Sequence, residues 1–440
     1  MKIDLYKKIS FNSFVELFLL FALPVICVCG VSYFPYQLRL PLIYAVAALI
    51  LVYTATFKGK IRISGVVLLY FLFLSYLALS LLYSYDKTTT FNFLIIYACA
   101  FPLLIYNFTE YFSNKLLQMF LIVSMVIAVS IIISVPIKNC MVDYFWFIIN
   151  PGRNAQTNSM ILNELSLGAY SGFAREKGEA AFIMNVGLAV CFAKYFSLGK
   201  FKASNVLCVL TLIIALLLTS KRALLIIVVF CVCVLVLVSK IKGKVVKAFS
   251  MVLIICSVVF FVLSFVPSLA NTFLRFLDTE NMQTMGGRSA IWKYLYMMIS
   301  QYWLFGAGFG SYNNFAYDNG FRVFDAKWNY YGHNIYYEAL GEIGVVGCIL
   351  LFGFFIVSFV RTFKLMRNKN LSETQNKILY FSFYIQLMFL SYGITGNPIY
   401  TRQHIFTWVV AICMFLSVYN KVATKKYVNK YKKQYTLRGN

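Results

Sequence analysis

Two histidines, His333 and His404, stand in a chain otherwise crowded with apolar residues. Each lies at the edge of a long apolar run. An imidazole that titrates close to neutrality suits the removal of a proton from a hydroxyl. His333 is followed by Asn334, and the run they open carries Tyr337, Glu338 and Glu342 at one-turn spacings. Carboxylates inside such a run are expensive in a bilayer and are usually functional. Arginine supplies the complementary chemistry. Thr219-Ser220-Lys221-Arg222 is a short turn between two apolar runs. Its two cations and flanking hydroxyls fit a clamp for a pyrophosphate-like anion, the alternative being cations that reach for lipid headgroups. Arg288 follows two glycines and opens an amphipathic helix to about Ser300, with Ile291, Trp292, Leu295, Met298 and Ile299 on one face. An arginine at a helix start opposes the helix dipole, which hints at an anionic ligand held by the same free amides. Arg175 and Glu179 stand one turn apart at the start of another run and pair there, or form a solvated helix end. Arg402 and His404 complete the set at the last run, where interfacial anchoring is the bland reading.

Two glycine patterns are read structurally. Leu304–Tyr312 (LFGAGFGSY) has alternating glycines but no preceding strand, so it reads as a plain loop rather than a dinucleotide-binding turn. Gly341, Gly344 and Gly347 read as a small-residue stripe for close helix packing.

The elements that must position these groups are membrane helices. Of the 440 residues, 61% are hydrophobic and 12% charged, and a soluble domain would carry roughly twice that charge. Apolar runs near bilayer length recur along the whole chain. Backbone in lipid must satisfy its own hydrogen bonds, and short alternating strands are absent, so the expected class is all-α. Spans are expected near 14–32, 39–57, 65–84, 91–107, 116–137, 180–197, 205–219, 223–239, 248–267, 333–360, 378–396 and 404–419. This gives a single polytopic domain over 1–440 with two long loops, 138–179 and 268–332. With the N-terminus inside, 26 of the 40 Lys and Arg fall inside and 14 outside, so both termini are expected in the cytoplasm and both long loops outside. Eight of the 14 outer cations are Arg, against four of the 26 inner ones. Lysine is enough to hold a loop inside, whereas the arginine fork is suited to phosphate oxygens. The net charge of +25 is therefore mostly topological, and no aromatic-basic module for nucleic acid accompanies it. The 11 cysteines form no CxxC pair and imply neither a disulfide framework nor zinc.

Taken in order, Thr219–Leu224 (TSKRAL), Gly287–Trp292 (GRSAIW), Leu304–Tyr312 and His333–Gly347 (HNIYYEALGEIGVVG) resemble the O-antigen polymerase and O-antigen ligase superfamily of bacterial envelope glycosyltransferases. The resemblance covers the latter part of the chain, and the first five spans add only hydropathy. It implies an inverting, metal-independent transfer at the periplasmic face of the inner membrane, with no cofactor. Donor and acceptor would be oligosaccharides on undecaprenyl pyrophosphate, in contact with membrane lipid, and a chain-length regulator protein would be a further partner. By motif, Arg222 and Arg288 would hold the pyrophosphate and His333 would activate the acceptor hydroxyl. Arg175, Glu179, Lys221, Asn334, Tyr337, Arg402 and His404 would line the substrate. Arg175 with Gly178-Glu179-Ala180-Ala181 favours polymerase over ligase, although Ala180 stands where a proline is often found. A lipid-linked oligosaccharide flippase is the alternative from another class. It would need charges spread through the bundle, not gathered at one face.

Overall fold

The computed structural model describes residues 11–28, 36–56, 64–137, 139–150, 155–174, 176–199, 202–239, 288–321 and 331–436, with isolated positions at 246, 253, 257, 260 and 264. Arg175, most of the expected 248–267 span and much of the 268–332 loop lie outside the described residues. The described residues contain helices and no strand. The five spans at the N-terminal end correspond to α1 (Phe11–Cys27), α2 (Tyr36–Thr56), α3 (Gly65–Ser80), α4 (Lys87–Ile105) and α5 (Glu110–Ile133). The first long loop is itself helical, with α6 (Cys140–Asp143), α7 (Trp146–Ile149) and α8 (Ala155–Ser166). Then follow α9 (Lys177–Leu198), α10 (Ala203–Leu218) and α11 (Arg222–Val238). The second long loop contributes α12 (Arg288–Tyr302) and α13 (Tyr312–Asp318). The chain ends on α14 (Ile335–Met366), α15 (Glu373–Tyr392) and α16 (Arg402–Thr436).

Five of these helices, α4, α5, α9, α14 and α16, are long and apolar enough to cross a membrane, and five more are shorter and apolar. Burial ranks them. The apolar stretches of α9 and of α16 up to Thr424 are mostly buried, whereas those of α4, α5 and α14 are less than half buried. Helix α15 packs on α9, α16, α14 and α11, so α9, α15 and α16 form the centre of the bundle. Phe182, Trp408, Phe354, Phe355 and Phe389 fill it, and Trp408 stacks on Phe389 at 5.1 Å. Helix starts are set by side chains that accept from exposed amides. Asp86 and Thr109 cap α4 and α5, and Ser372 with Gln375 forms a capping box on α15. At one end of the bundle Glu110 binds Lys421 at 2.9 Å and accepts from Gln375 Nε2 at 2.5 Å, tying α5, α15 and α16 together.

The opposite end departs from the sequence reading. Helix α14 is two helical segments that meet at Gly344, whose φ of 61° and ψ of −175° belong to glycine alone. The ladder opened by that break is closed by the loop from Trp303 to Gly308. Ala307 N donates to Gly341 O at 3.0 Å and Gly308 N to Glu342 O at 2.8 Å. On the other side of the break, Val345 N donates to Trp303 O at 2.9 Å and Val346 N to Leu304 O at 3.2 Å. Tyr76 OH donates to both Ile343 O and Phe305 O. LFGAGFGSY is therefore a backbone insert into a membrane helix, not a plain loop. Gly306, Gly308 and Gly310 all have positive φ, and a Cβ on Gly306 would stand 2.2 Å from Glu342 O. Gly344 is the break itself, while Gly341 faces Met298 and Gly347 faces Tyr76.

Candidate functional site

The insert carries a helical cap with it. Helix α12 buries Ile291, Leu295 and Met298. Trp292 Nε1 donates to Gly332 O at 2.9 Å, and Tyr312 OH donates to Ile291 O at 2.7 Å. The amphipathic helix expected from the sequence thus exists, and its apolar face packs on α14. Glu342 is the junction. Its buried carboxylate accepts from Gly310 N at 2.7 Å, Tyr312 N at 2.9 Å and Tyr400 OH at 2.7 Å. It holds the insert, the start of α13 and the α15–α16 turn to one helix. Glu338, one turn above, is buried under the backbone leading to His333, and a Cβ on Gly332 would stand 3.2 Å from its Oε2.

Two non-glycine residues among those described hold a positive φ, Ser220 at 57° and His333 at 52°. Backbone strain of this kind costs on the order of 1–3 kcal/mol and gathers where function demands a particular geometry. Both residues belong to motifs picked out from the sequence. The structure brings those motifs together. Lys221 and Arg288 both act electrostatically on His333, and Lys221 also acts on His404. Arg288 lies within electrostatic reach of Lys221 and of Tyr392 at the end of α15. Glu176, just before α9, completes the ring, since it acts on both Lys221 and Tyr392. Glu164 of α8 anchors that edge by accepting from Lys177 N at 3.3 Å and pairing with the Lys177 ammonium at 3.6 Å.

The electrostatic consequence falls on His333. Burial, then the Arg288 and Lys221 charges, depress its pKa from 6.5 to about 4. The ring is therefore neutral around neutral pH, which is the form able to accept a proton. Burial also lowers Lys221, against the opposing effect of Glu176, and lowers Arg288. Two cations beside an uncharged imidazole make a site for an anion next to a base.

Individual expectations fare differently. Lys221, Arg288 and His333 converge, and Arg222 is half-buried at the start of α11, next to Lys221 in the chain. The hydroxyls of the turn are engaged within the protein. Thr219 Oγ1 donates to Leu216 O at 2.6 Å, and Ser220 Oγ donates to Gly168 O at 3.2 Å. Asn334 caps α14 by accepting from Tyr336 N and Tyr337 N. Tyr337 is partly exposed and its ring meets Trp292 and Tyr296, so it braces α12. His404, in the first turn of α16, is buried. Its ring lies 3.9 Å from Phe182, and neither nitrogen has a hydrogen-bond partner among the described residues. Arg402 opens α16, half-buried and within electrostatic reach of Tyr331. Glu179 lies in the first turn of α9, half-buried, with its expected partner Arg175 outside the described residues.

Sequence reasoning missed Asn397. Its Nδ2 stands 3.3 Å from His333 Nδ1, across the turn between α15 and α16. The only signal was a polar amide in the Gly396-Asn397-Pro398 turn, close in sequence to Arg402 and His404.

Compared with known proteins, residues 207–352 match the family model described as O-antigen ligase. The match runs from within α10 to within α14 and so contains the 219–222 turn, Arg288, the insert and His333. No curated protein matches the chain.

Proposed function

From the place that residues 207–352 give the chain in the O-antigen polymerase and O-antigen ligase superfamily, we propose that it is an O-antigen polymerase of the bacterial inner membrane. It joins oligosaccharide repeat units carried on undecaprenyl pyrophosphate at the periplasmic face. The observation that carries this reading is the neutral His333 beside Lys221 and Arg288. In the transfer, an acceptor hydroxyl oxygen attacks the anomeric carbon of the donor glycan. The new glycosidic bond forms as the bond from that carbon to the pyrophosphate oxygen breaks, which inverts the centre. The hydroxyl proton passes to His333, and the carrier leaves as its pyrophosphate. Arg288, with Lys221 and Arg222, meets the charge that grows on the leaving oxygen. Fixed donors in a site shielded from water are effective at this task. Lys221 and Arg288 serve a second purpose, because by opposing imidazolium formation they keep the base free before each turnover.

The polymerase reading over the ligase reading rests on Gly178-Glu179-Ala180-Ala181 with Arg175. The ligase reading has one observation in its favour, the description of the matched family model. The two share their chemistry and differ in acceptor, which is a second lipid-linked unit for the polymerase and the sugar core of lipid A for the ligase. The lipopolysaccharide ladder of a deletion strain separates them. Core carrying a single repeat unit is the polymerase outcome. Bare core, with polymer still on its lipid carrier, is the ligase outcome. An unchanged ladder overturns both.

A further inference from the structure

Asn397 reaches His333 from 64 residues away and is the single hydrogen-bond partner of that ring among the described residues. With Nδ1 engaged, Nε2 is the nitrogen left to meet a substrate. The ring is neutral, so one nitrogen carries a proton and the other a lone pair, and the partner of Nδ1 decides which. An asparagine amide offers either an acceptor or a donor in nearly the same volume, and its sense is assigned from its surroundings rather than seen. With Nδ2 against Nδ1, the ring proton would sit on Nε2 and His333 could only donate. With the amide reversed, Oδ1 accepts from Nδ1–H and Nε2 keeps its lone pair.

We propose that Asn397 is the positioning residue of the site, its Oδ1 accepting from His333 Nδ1–H so that Nε2 faces the acceptor hydroxyl as a free base. This rests on the reading of His333 as the base. The turn bearing Asn397 is well placed for the task. Tyr400 N donates to Asn397 O at 3.2 Å, and Tyr400 OH is fixed on Glu342 of α14, the same helix that His333 leads into. Pro398 confines Asn397 to extended backbone. The amide and the imidazole are thus referred to one rigid element. The left-handed backbone of His333 is held from the side-chain end as well.

The chain has two histidines, so nitrogen-15 histidine labelling of the full-length protein in lipid nanodiscs gives two imidazoles to follow, with His333→Gln assigning one of them. At neutral pH His333 should show a protonated Nδ1 and a bare Nε2. In Asn397→Ala that preference should be lost, with proton appearing on Nε2. In Asn397→Asp the Nδ1–H form should persist and the protonation midpoint should rise, because the carboxylate opposes Arg288 and Lys221. In a transfer assay Asn397→Ala should lower kcat about 10- to 100-fold with KM for the donor little changed. A wild-type ring protonated on Nε2, or an Asn397→Ala ring unchanged from wild type, overturns the proposal. The ring state is read without turnover, so the two readings fail separately. The expected tautomer with an active His333→Gln removes the base and leaves the contact. The opposite tautomer with an inactive His333→Gln removes the contact's role and leaves the base.

Discussion

Replacing Gly344 by alanine tests whether the insert is held by the break in α14. The backbone at 344 lies in a region that a β-carbon closes to other residues, at a cost of about 1–3 kcal/mol. The added carbon would also stand 2.4 Å from Leu304 O and 2.5 Å from Gly306 N, both backbone atoms that cannot swing aside. Relief comes by continuing the helix straight, which discards the bonds from Ala307, Gly308, Val345 and Val346 across the break. At tenfold per 1.4 kcal/mol, the strain alone lowers the docked-to-undocked ratio of the insert about 5- to 150-fold. Hydrogen exchange read by mass spectrometry measures this directly. Peptides covering 303–312 should lose protection by that factor, and those within α9 and α15 should not. Gly353→Ala is the control, since a β-carbon there meets nothing within 4 Å and sits in regular helix. Unchanged protection in Gly344→Ala, or equal loss in Gly353→Ala, refutes the reasoning.

Further outcomes follow from the site and from the far end of the bundle. Arg288→Lys keeps the charge and loses the fork of donors, so turnover in a reconstituted transfer assay should fall at least about tenfold. A rate equal to wild type removes Arg288 from the leaving-group clamp. The acid limb of the kcat/KM profile should lie near the His333 pKa of about 4. Arg288 and Lys221 hold that value down, so Arg288→Gln should move the limb of the residual activity toward higher pH, and a limb that stays in place would uncouple the two groups. Glu110→Gln breaks a partly exposed pair with Lys421. It should cost about 1 kcal/mol or less by thermal unfolding and leave transfer intact.

The transmembrane helices were legible because lipid makes hydropathy nearly sufficient. Eleven of the twelve expected spans coincide with helices, and the other, 248–267, falls mostly outside the described residues. Helix α12 was legible from its apolar face and its start at Arg288. The break at Gly344 was not, because apolar residues run on through Ile343, Val345 and Val346 and periodicity carries no record of a carbonyl bonded elsewhere. The insert was hidden for the same reason. Its glycines announce positive φ but not the helix 30 residues away that they approach. Lys221, Arg288 and His333 were legible by residue type and by their place at the ends of apolar runs. Asn397 was not, since an amide in a turn has an ordinary local use and its partner is fixed only by packing. The burial of His404 was not legible, because hydropathy locates the end of a helix and does not say whether that end is covered.

Because the hydrogen-bond ladder of α14 is handed over at Gly344, the helix does not transmit force as one rod. A bend or tilt imposed on its apolar lower half by a change in bilayer thickness reaches the break and goes no further along the ladder. The upper segment is instead fastened sideways, to α12 through Gly341, to α3 through Tyr76, and to the α15–α16 turn through Glu342 and Tyr400. The His333–Asn397 contact is thereby referred to the cap, and what reaches it from the lower half must pass through the Trp303–Gly308 insert, which is bonded on both sides of the break.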